Sequence, residues 1–220
     1  MHPKRIVIIG AGGLAREIGW LLAEINQGVS GQQYEVLGYV ISDLTSLSQN
    51  DSHGILGDHL WLQENRASWD CLAMGIGIPE RRFNLSRELD SLLGGVEWPV
   101  LIHPSVRMDL STSKISRGVI ICANAVGTVN LIIEEFALIN LSCTLGHEVQ
   151  IGSGTVLNPS VNVSGGVKIG NQVLLGTGAQ VLQYLEIGTG AVVGAGAVVT
   201  KDVPSSVTVV GVPARQLPHS

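Results

Sequence analysis

From Lys114 onward the apolar positions return every six residues. The blocks run KISRGV, IICANA, VGTVNL, IIEEFA, LINLSC, TLGHEV, QIGSGT, VLNPSV, NVSGGV, KIGNQV, LLGTGA, QVLQYL, EIGTGA, VVGAGA and VVTKDV, fifteen in succession with no insertion, ending at Val203. The second place is Ile, Leu or Val in fourteen of them, Gly127 being the exception, and the sixth is small or apolar in all but Thr155. A period kept this long marks a repeat architecture. The sixth and second places flank a single position, so on extended backbone they share one face. Each block therefore predicts a short strand and a turn with those two residues inward, and three blocks close one coil of a triangular prism.

Ahead of Lys114 the spacing changes. KRIVII, residues 4–9, is a β-branched run that ends in GAGG, and in LAREIGWLLAEIN the apolar Leu14, Ile18, Leu21, Leu22 and Ile25 recur at helical spacing. YEVLGYVI and CLAMGIGI predict two more strands, and FNLSRELDSLL a helix before Trp98. Three strands with intervening helices make a small open α/β sheet. The predicted fold is α/β plus all-β: a Rossmann-like domain over residues 1–100 followed by a parallel β-helix over 101–220.

Gly10, Gly12 and Gly13 let backbone approach a phosphate where free N–H groups and the helix dipole favour an anion. A tight strand-to-helix turn without a ligand gives the same pattern. About a hundred residues hold only one of the two halves of a dinucleotide fold, so a nucleoside diphosphate suits the site better than NAD. The turn after the second strand offers Asp43 alone as an acidic partner.

Composition narrows the function classes. Charged residues make up 14% of the chain, aromatics 4%, and glycines number 28, which suits tightly turning β-structure on small aliphatics. A net charge of -5 supplies no basic footprint for nucleic acid or an anionic membrane, and neither partner is expected. Arg16 and Glu17 interrupt the apolar opening, and no run approaches the roughly eighteen apolar residues of a membrane span. Cys71, Cys122 and Cys143 are odd in number and lack metal-ligand spacing, as reduced thiols of a cytoplasmic protein would be.

The fifteen blocks resemble the hexapeptide repeat of left-handed β-helix acyltransferases. With the opening IVIIGAGGLARE, the junction LIHPSV at 101–106 and the ending VVTKDVPSSVTVVGVPAR, the chain resembles the group of sialic-acid O-acetyltransferases and bacillosamine N-acetyltransferases nearly end to end. It departs from many members in carrying Leu14 where they have a histidine after the glycine pair, and Val156 where they have one nine residues beyond the base. The resemblance implies acetyl-CoA as cosubstrate, a homotrimer with sites at subunit boundaries, and a catalytic pair at His147 and Glu148. It also implies CoA contacts at Gly165, Gly176, Thr177, Gly194 and Ala195, and a sugar contact at Asn140.

The residues themselves add to this reading. His147 is the one histidine of six inside the blocks, and as fourth in TLGHEV it belongs at a corner, as either a base or a solvated surface residue. A neutral imidazole accepts a proton at cellular pH, and the Glu148 carboxylate would orient it or stabilise its charged form. One coil is eighteen residues, so Gly165 stacks on His147, leaving room for a thioester and a backbone N–H for the developing oxyanion. Cys143, sixth in its block, points into the core. A zinc site needs three protein ligands, and a single histidine does not supply them, so no metal is expected.

The expected activity is acetyl-CoA-dependent N-acetylation of a nucleotide-linked amino sugar of the 4-amino-6-deoxy type. O-acetylation of sialic acid or another sugar is the alternative, and a non-catalytic sugar- or nucleotide-binding β-helix a further one.

Overall fold

The computed structural model describes residues 2–28, 31–44 and 54–217, so His53 and His219 lie outside the described residues. Two compact units result, one comprising Met1–Gly77 and Asn84–Pro99, the other Ile78–Phe83 and Val100–Ser220.

In the first unit, β1 (Lys4–Ile9), α1 (Gly13–Asn26), β2 (Tyr34–Val40), β3 (Ile55–Gly57), α2 (His59–Glu64) and β4 (Cys71–Met74) build a parallel sheet in the order β3-β2-β1-β4. The three strands expected from sequence are thus four. β3 has only three residues, too few to show an alternation. Ile6, Val7, Ile8 and Ile9 are all buried, as in a central strand covered on both faces. The run CLAMGIGI stops being strand at Met74, and a Cβ on Gly75 would stand 2.6 Å from the Ile9 carbonyl oxygen. The helix α3 (Pro79–Leu93) begins four residues before the predicted FNLSRELDSLL, with Pro79 at its first position, where a missing N–H costs nothing.

The second unit is a parallel β-helix. Two-residue strands occupy the first and second places of the blocks and stack coil on coil into three parallel sheets. Pairing steps by eighteen residues, as in Leu138↔Val156, Thr144↔Asn162 and Gln150↔Lys168. The inward rows are near-continuous aliphatic ladders: Ile121, Ile139, Leu157, Leu175 and Val193 are buried on one face, with equivalent rows on the other two. Each such side chain contributes about 1.5–3 kcal/mol by leaving water. Both exceptions to the pattern are compensated. At Gly127 the Met108 side chain fills the missing volume, and buried Thr155 donates to the Gly170 carbonyl at 2.8 Å and accepts from Val173 N–H at 3.1 Å.

The coil is longer than fifteen blocks at one end and irregular at the other. Leu101–Ile102 already pairs with Ile120–Ile121, nineteen residues on rather than eighteen, so LIHPSV belongs to a first coil carrying one extra residue. At the far end Val203 pairs with Ile187 only sixteen residues earlier. It therefore takes the second place of the next block instead of the sixth place of VVTKDV, the corner there being two residues short.

The fifth place of the blocks turns the corner in the left-handed region. Asn124, Asn130, Ser142 and Ser160 have φ near +60°, and Gly154 and Gly178 near +70°. Short polar side chains and glycine tolerate this; bulky ones pay about 1–2 kcal/mol. Phe136 is bulky and shows how that cost is offset. It is fully buried, its ring covers Gly118 one coil earlier, and the Arg117 guanidinium lies 5.3 Å from its centroid. Buried Arg82 donates from Nε to the Phe136 carbonyl at 2.7 Å, with its pKa lowered to about 10 by desolvation.

Candidate active site

His147 and Glu148 stand at the fourth and fifth places of a corner, after the strand Thr144–Leu145 and before Gln150–Ile151. Both side chains are exposed, by 51% and 61%, so neither is a core group. Nδ1 of His147 is 3.8 Å from Oε2 of Glu148, close enough for the carboxylate to stabilise an imidazolium and too far for a hydrogen bond. Glu148 sits at φ +60° and its N–H donates to the Val129 carbonyl at 3.0 Å.

The imidazole lies flat on Gly165. A Cβ added at Gly165 would come within 2.7 Å of His147 Cε1 and closer still to Nε2. Gly166 N–H donates to the His147 carbonyl at 2.8 Å, and Tyr184 N–H donates to the Gly165 carbonyl at 3.0 Å. Among the described residues, neither the His147 N–H nor the Gly165 N–H has an acceptor on the chain. Val129 and Leu182 leave apolar surface on either side. An imidazole, a neighbouring carboxylate and an amide N–H without an acceptor among the described residues therefore lie at one exposed corner, groups of the kind that acyl transfer uses.

Tyr184 was not evident from the repeat. Its ring centroid is 6.4 Å from that of His147 at an interplanar angle of 60°. The signal was present in QVLQYL, which carries an aromatic at the fifth place where other corners mostly carry Gly, Asn or Ser.

The predicted donor residues lie elsewhere on the same chain. Gly176, Thr177, Gly194 and Ala195 belong to the corner after the strands Leu174–Leu175 and Val192–Val193, a different corner from that of His147. Thr177 and Ala195 are exposed. Gly176 and Gly194 are required by stacking in any case: a Cβ would stand 2.5 Å from Ala195 N in the first and 2.7 Å from a Val210 methyl in the second. Asn140 and Asn158 occupy the same row two coils and one coil before Gly176. Asn140 is buried and its Oδ1 accepts from Leu141 N–H at 2.7 Å, which leaves its amide N–H groups as the donors of the side chain. The row thus runs from polar asparagines to bare glycines.

Cys143 is inward, as its sixth place requires. Its thiol bonds the Asn158 carbonyl at 3.2 Å, and burial pushes its pKa up to about 11, which disqualifies it as a nucleophile. Among the described residues no three His, Cys, Asp or Glu side chains converge as a metal site would need, and no helix is long and apolar enough to cross a membrane. A concavity of about 540 Å³ lies on the third face, lined by residues including Lys168, Glu186, Thr189 and Asp202, and includes none of the predicted site residues.

In the first unit, Gly10 closes β1 at φ +99°, and a Cβ there would meet Ile76 at 2.9 Å. Gly12 and Gly13 meet nothing within 4 Å, and no side chain caps the start of α1. Backbone at this helix N-terminus is open beside the carboxyl ends of β1 and β4, where open α/β sheets take ligands. Asp43 is exposed three residues after β2.

Residues 166–201 match the family model described as bacterial transferase hexapeptide (six repeats). PerB from Caulobacter crescentus, solved in complex with CoA and GDP-perosamine, is 30% identical with a TM-score of 0.85, and 97% of each chain is covered. A variant of perosamine N-acetyltransferase from that organism matches at 29% identity, with the same TM-score and coverage. The acetyltransferase domain of PglB from Neisseria gonorrhoeae, in complex with acetyl coenzyme A, is 26% identical with a TM-score of 0.85, covering 98% of this chain and 100% of that one. No curated protein sequence matches the chain.

Proposed function

The chain belongs to the hexapeptide-repeat sugar acetyltransferases of the left-handed β-helix type, and from that membership we propose that it transfers the acetyl group of acetyl-CoA to the amine of a nucleotide-linked amino sugar. The observation that carries the reading is the notch at His147, where an imidazole rests on a glycine whose N–H has no acceptor among the described residues.

In this reading the sugar amine attacks the thioester carbonyl while His147 removes its proton and Glu148 stabilises the resulting imidazolium. The Gly165 N–H bonds the oxyanion of the tetrahedral intermediate. Collapse breaks the carbon–sulfur bond, the imidazolium returns the proton to the departing thiolate, and the products are the acetamido sugar and free CoA. Val156, buried in its row, provides no second histidine.

The placement of donor and base rows on different corners supports a homotrimer in which the His147 corner of one copy faces the Gly176–Gly194 corner of the next. The acceptor's diphosphate would rest on Gly10, Gly12 and Gly13, with Asp43 nearby and Asn140 on the sugar. Residues 1–100 would form the sugar-nucleotide domain and 101–220 the acyltransferase domain. Three buried cysteines, none in a disulfide, and the use of acetyl-CoA fit a cytoplasmic enzyme of glycan synthesis.

Thiol release from acetyl-CoA tests this, using GDP-, UDP- and dTDP-linked 4-amino-6-deoxysugars with free sialic acid alongside. An amino-sugar nucleotide should turn over and His147→Ala should lose about 100-fold or more in kcat. Turnover of sialic acid alone would make the enzyme an O-acetyltransferase; full activity in the variant would remove His147 as the base.

A further inference from the structure

Tyr184 has a position that the coil does not explain. Like Phe136 it is an aromatic residue at the fifth place, with φ +60°, and its ring covers a glycine one coil earlier: a Cβ on Gly166 would stand 2.6 Å from Tyr184 Cε1. Phe136 offsets the backbone cost by complete burial under Arg117. Tyr184 is 67% exposed and has no such return. A bulky residue held in a costly conformation with its ring uncovered on the single chain points to a role beyond folding.

Its surroundings indicate which role. The Gly165–Gly166 peptide is tied on one edge to the His147 carbonyl and on the other to the Tyr184 N–H. The imidazole lies on Gly165 and the phenol ring on Gly166, so the two rings reach one peptide from opposite directions and meet edge to face at 6.4 Å. The same double glycine carries the Gly165 N–H, which has no acceptor among the described residues. A carbonyl oxygen bound at that N–H would bring its acyl substituent beside the double glycine, next to the Tyr184 ring.

We propose that Tyr184 is a specificity-determining residue for the acyl group, its ring closing the slot over Gly165–Gly166 and restricting transfer to acetyl. The inference rests on acetyl transfer at His147 as proposed above. Removing the ring should open the slot, and because glycine is at ease at φ +60°, Tyr184→Gly folds at least as well as the parent.

The experiment compares acetyl-, propionyl- and butyryl-CoA as donors to one accepted amino-sugar nucleotide, with the parent, Tyr184→Gly and Tyr184→Phe. Each methylene admitted or refused by an apolar wall changes kcat/KM about tenfold or more. The parent should prefer acetyl-CoA, Tyr184→Gly should raise the butyryl-to-acetyl ratio of kcat/KM by about tenfold or more, and Tyr184→Phe, which keeps the wall, should leave the ratio within about twofold. An unchanged ratio in Tyr184→Gly overturns the inference and leaves the transferase reading intact. So does an equal change in both variants, since that would make the hydroxyl responsible. A parent that transfers no acyl group from any donor overturns the transferase reading and this inference together.

Discussion

Two corners of the same coil have the same backbone and opposite chemistry. On the corner after Gln150–Ile151 and Lys168–Ile169, two successive fourth-place amides are closed by the side chain one coil later: Ser153 N–H donates to Asn171 Oδ1 at 2.9 Å and Asn171 N–H to Thr189 Oγ1 at 3.3 Å. Earlier in that row Arg117 pairs with Glu135 at 3.3 Å. On the corner of His147 the residue one coil later is Gly165, which has no side chain to accept from the His147 N–H, and the ionisable groups are left exposed. A repeat thus makes a site by omission. Where a fourth-place side chain reaches back, as Asn171 and Thr189 do, the amide one coil earlier is satisfied, and where the next residue is Gly165 the His147 N–H is left without an acceptor among the described residues.

The largest effect should come from closing the open corner. Gly165→Ala would push a methyl group into the imidazole, and loss of a positioned base and amide should cost about 100-fold or more in kcat. Because the atoms displaced are the end of an exposed side chain, Tm should stay within a few degrees of the parent, and calorimetry beside the thiol-release assay reads both. A large fall in Tm would mean that the glycine serves packing alone.

A smaller contrast compares Glu148 with Gln172, which stand at the fifth place of the two corners at φ +60° and +55°. Glycine at either position relieves a strained backbone, so Glu148→Gly and Gln172→Gly should each gain up to about 1 kcal/mol in denaturant unfolding. Only Glu148→Gly should lower kcat, by about tenfold, because only that carboxylate faces a base. Equal activity in the two variants would remove Glu148 from the site.

The smallest effect is expected on the closed corner. Asn171→Ala uncaps the Ser153 amide and should cost about 1 kcal/mol of stability with activity unchanged. If activity falls with it, the two corners are not chemically distinct.

Much of this was legible in the sequence, for identifiable reasons. The coil could be read because the second and sixth places admit almost nothing but aliphatics, and His147 could be assigned to a corner by counting four into TLGHEV. Counting eighteen residues on gave Gly165 as its stacking partner, as the structure has it. The first coil was hidden by one extra residue between 107 and 113, which breaks the count, and Val203 was misphased because the last corner lost two. β3 and the first turn of α3 escaped because three residues, or the charged PERR, carry no period. Tyr184 escaped for a different reason. Inward rows identify themselves by hydrophobicity, whereas a corner residue is recognised only by its unsuitability for the backbone it occupies, here an aromatic at φ +60°.

If the base comes from one copy of the chain and the donor corner from the next, two variants disabled in different corners should complement each other when mixed. His147→Ala removes the base, and Thr177→Arg blocks the exposed donor corner without entering the coil's interior. Each alone should be nearly inactive. Co-expressed in equal amounts, they should form mixed trimers in which about one boundary in four joins an intact His147 to an intact donor corner, restoring about a quarter of parental activity. No recovery in demonstrably mixed trimers would contradict the account, because a site built within a single chain cannot be completed by a neighbour.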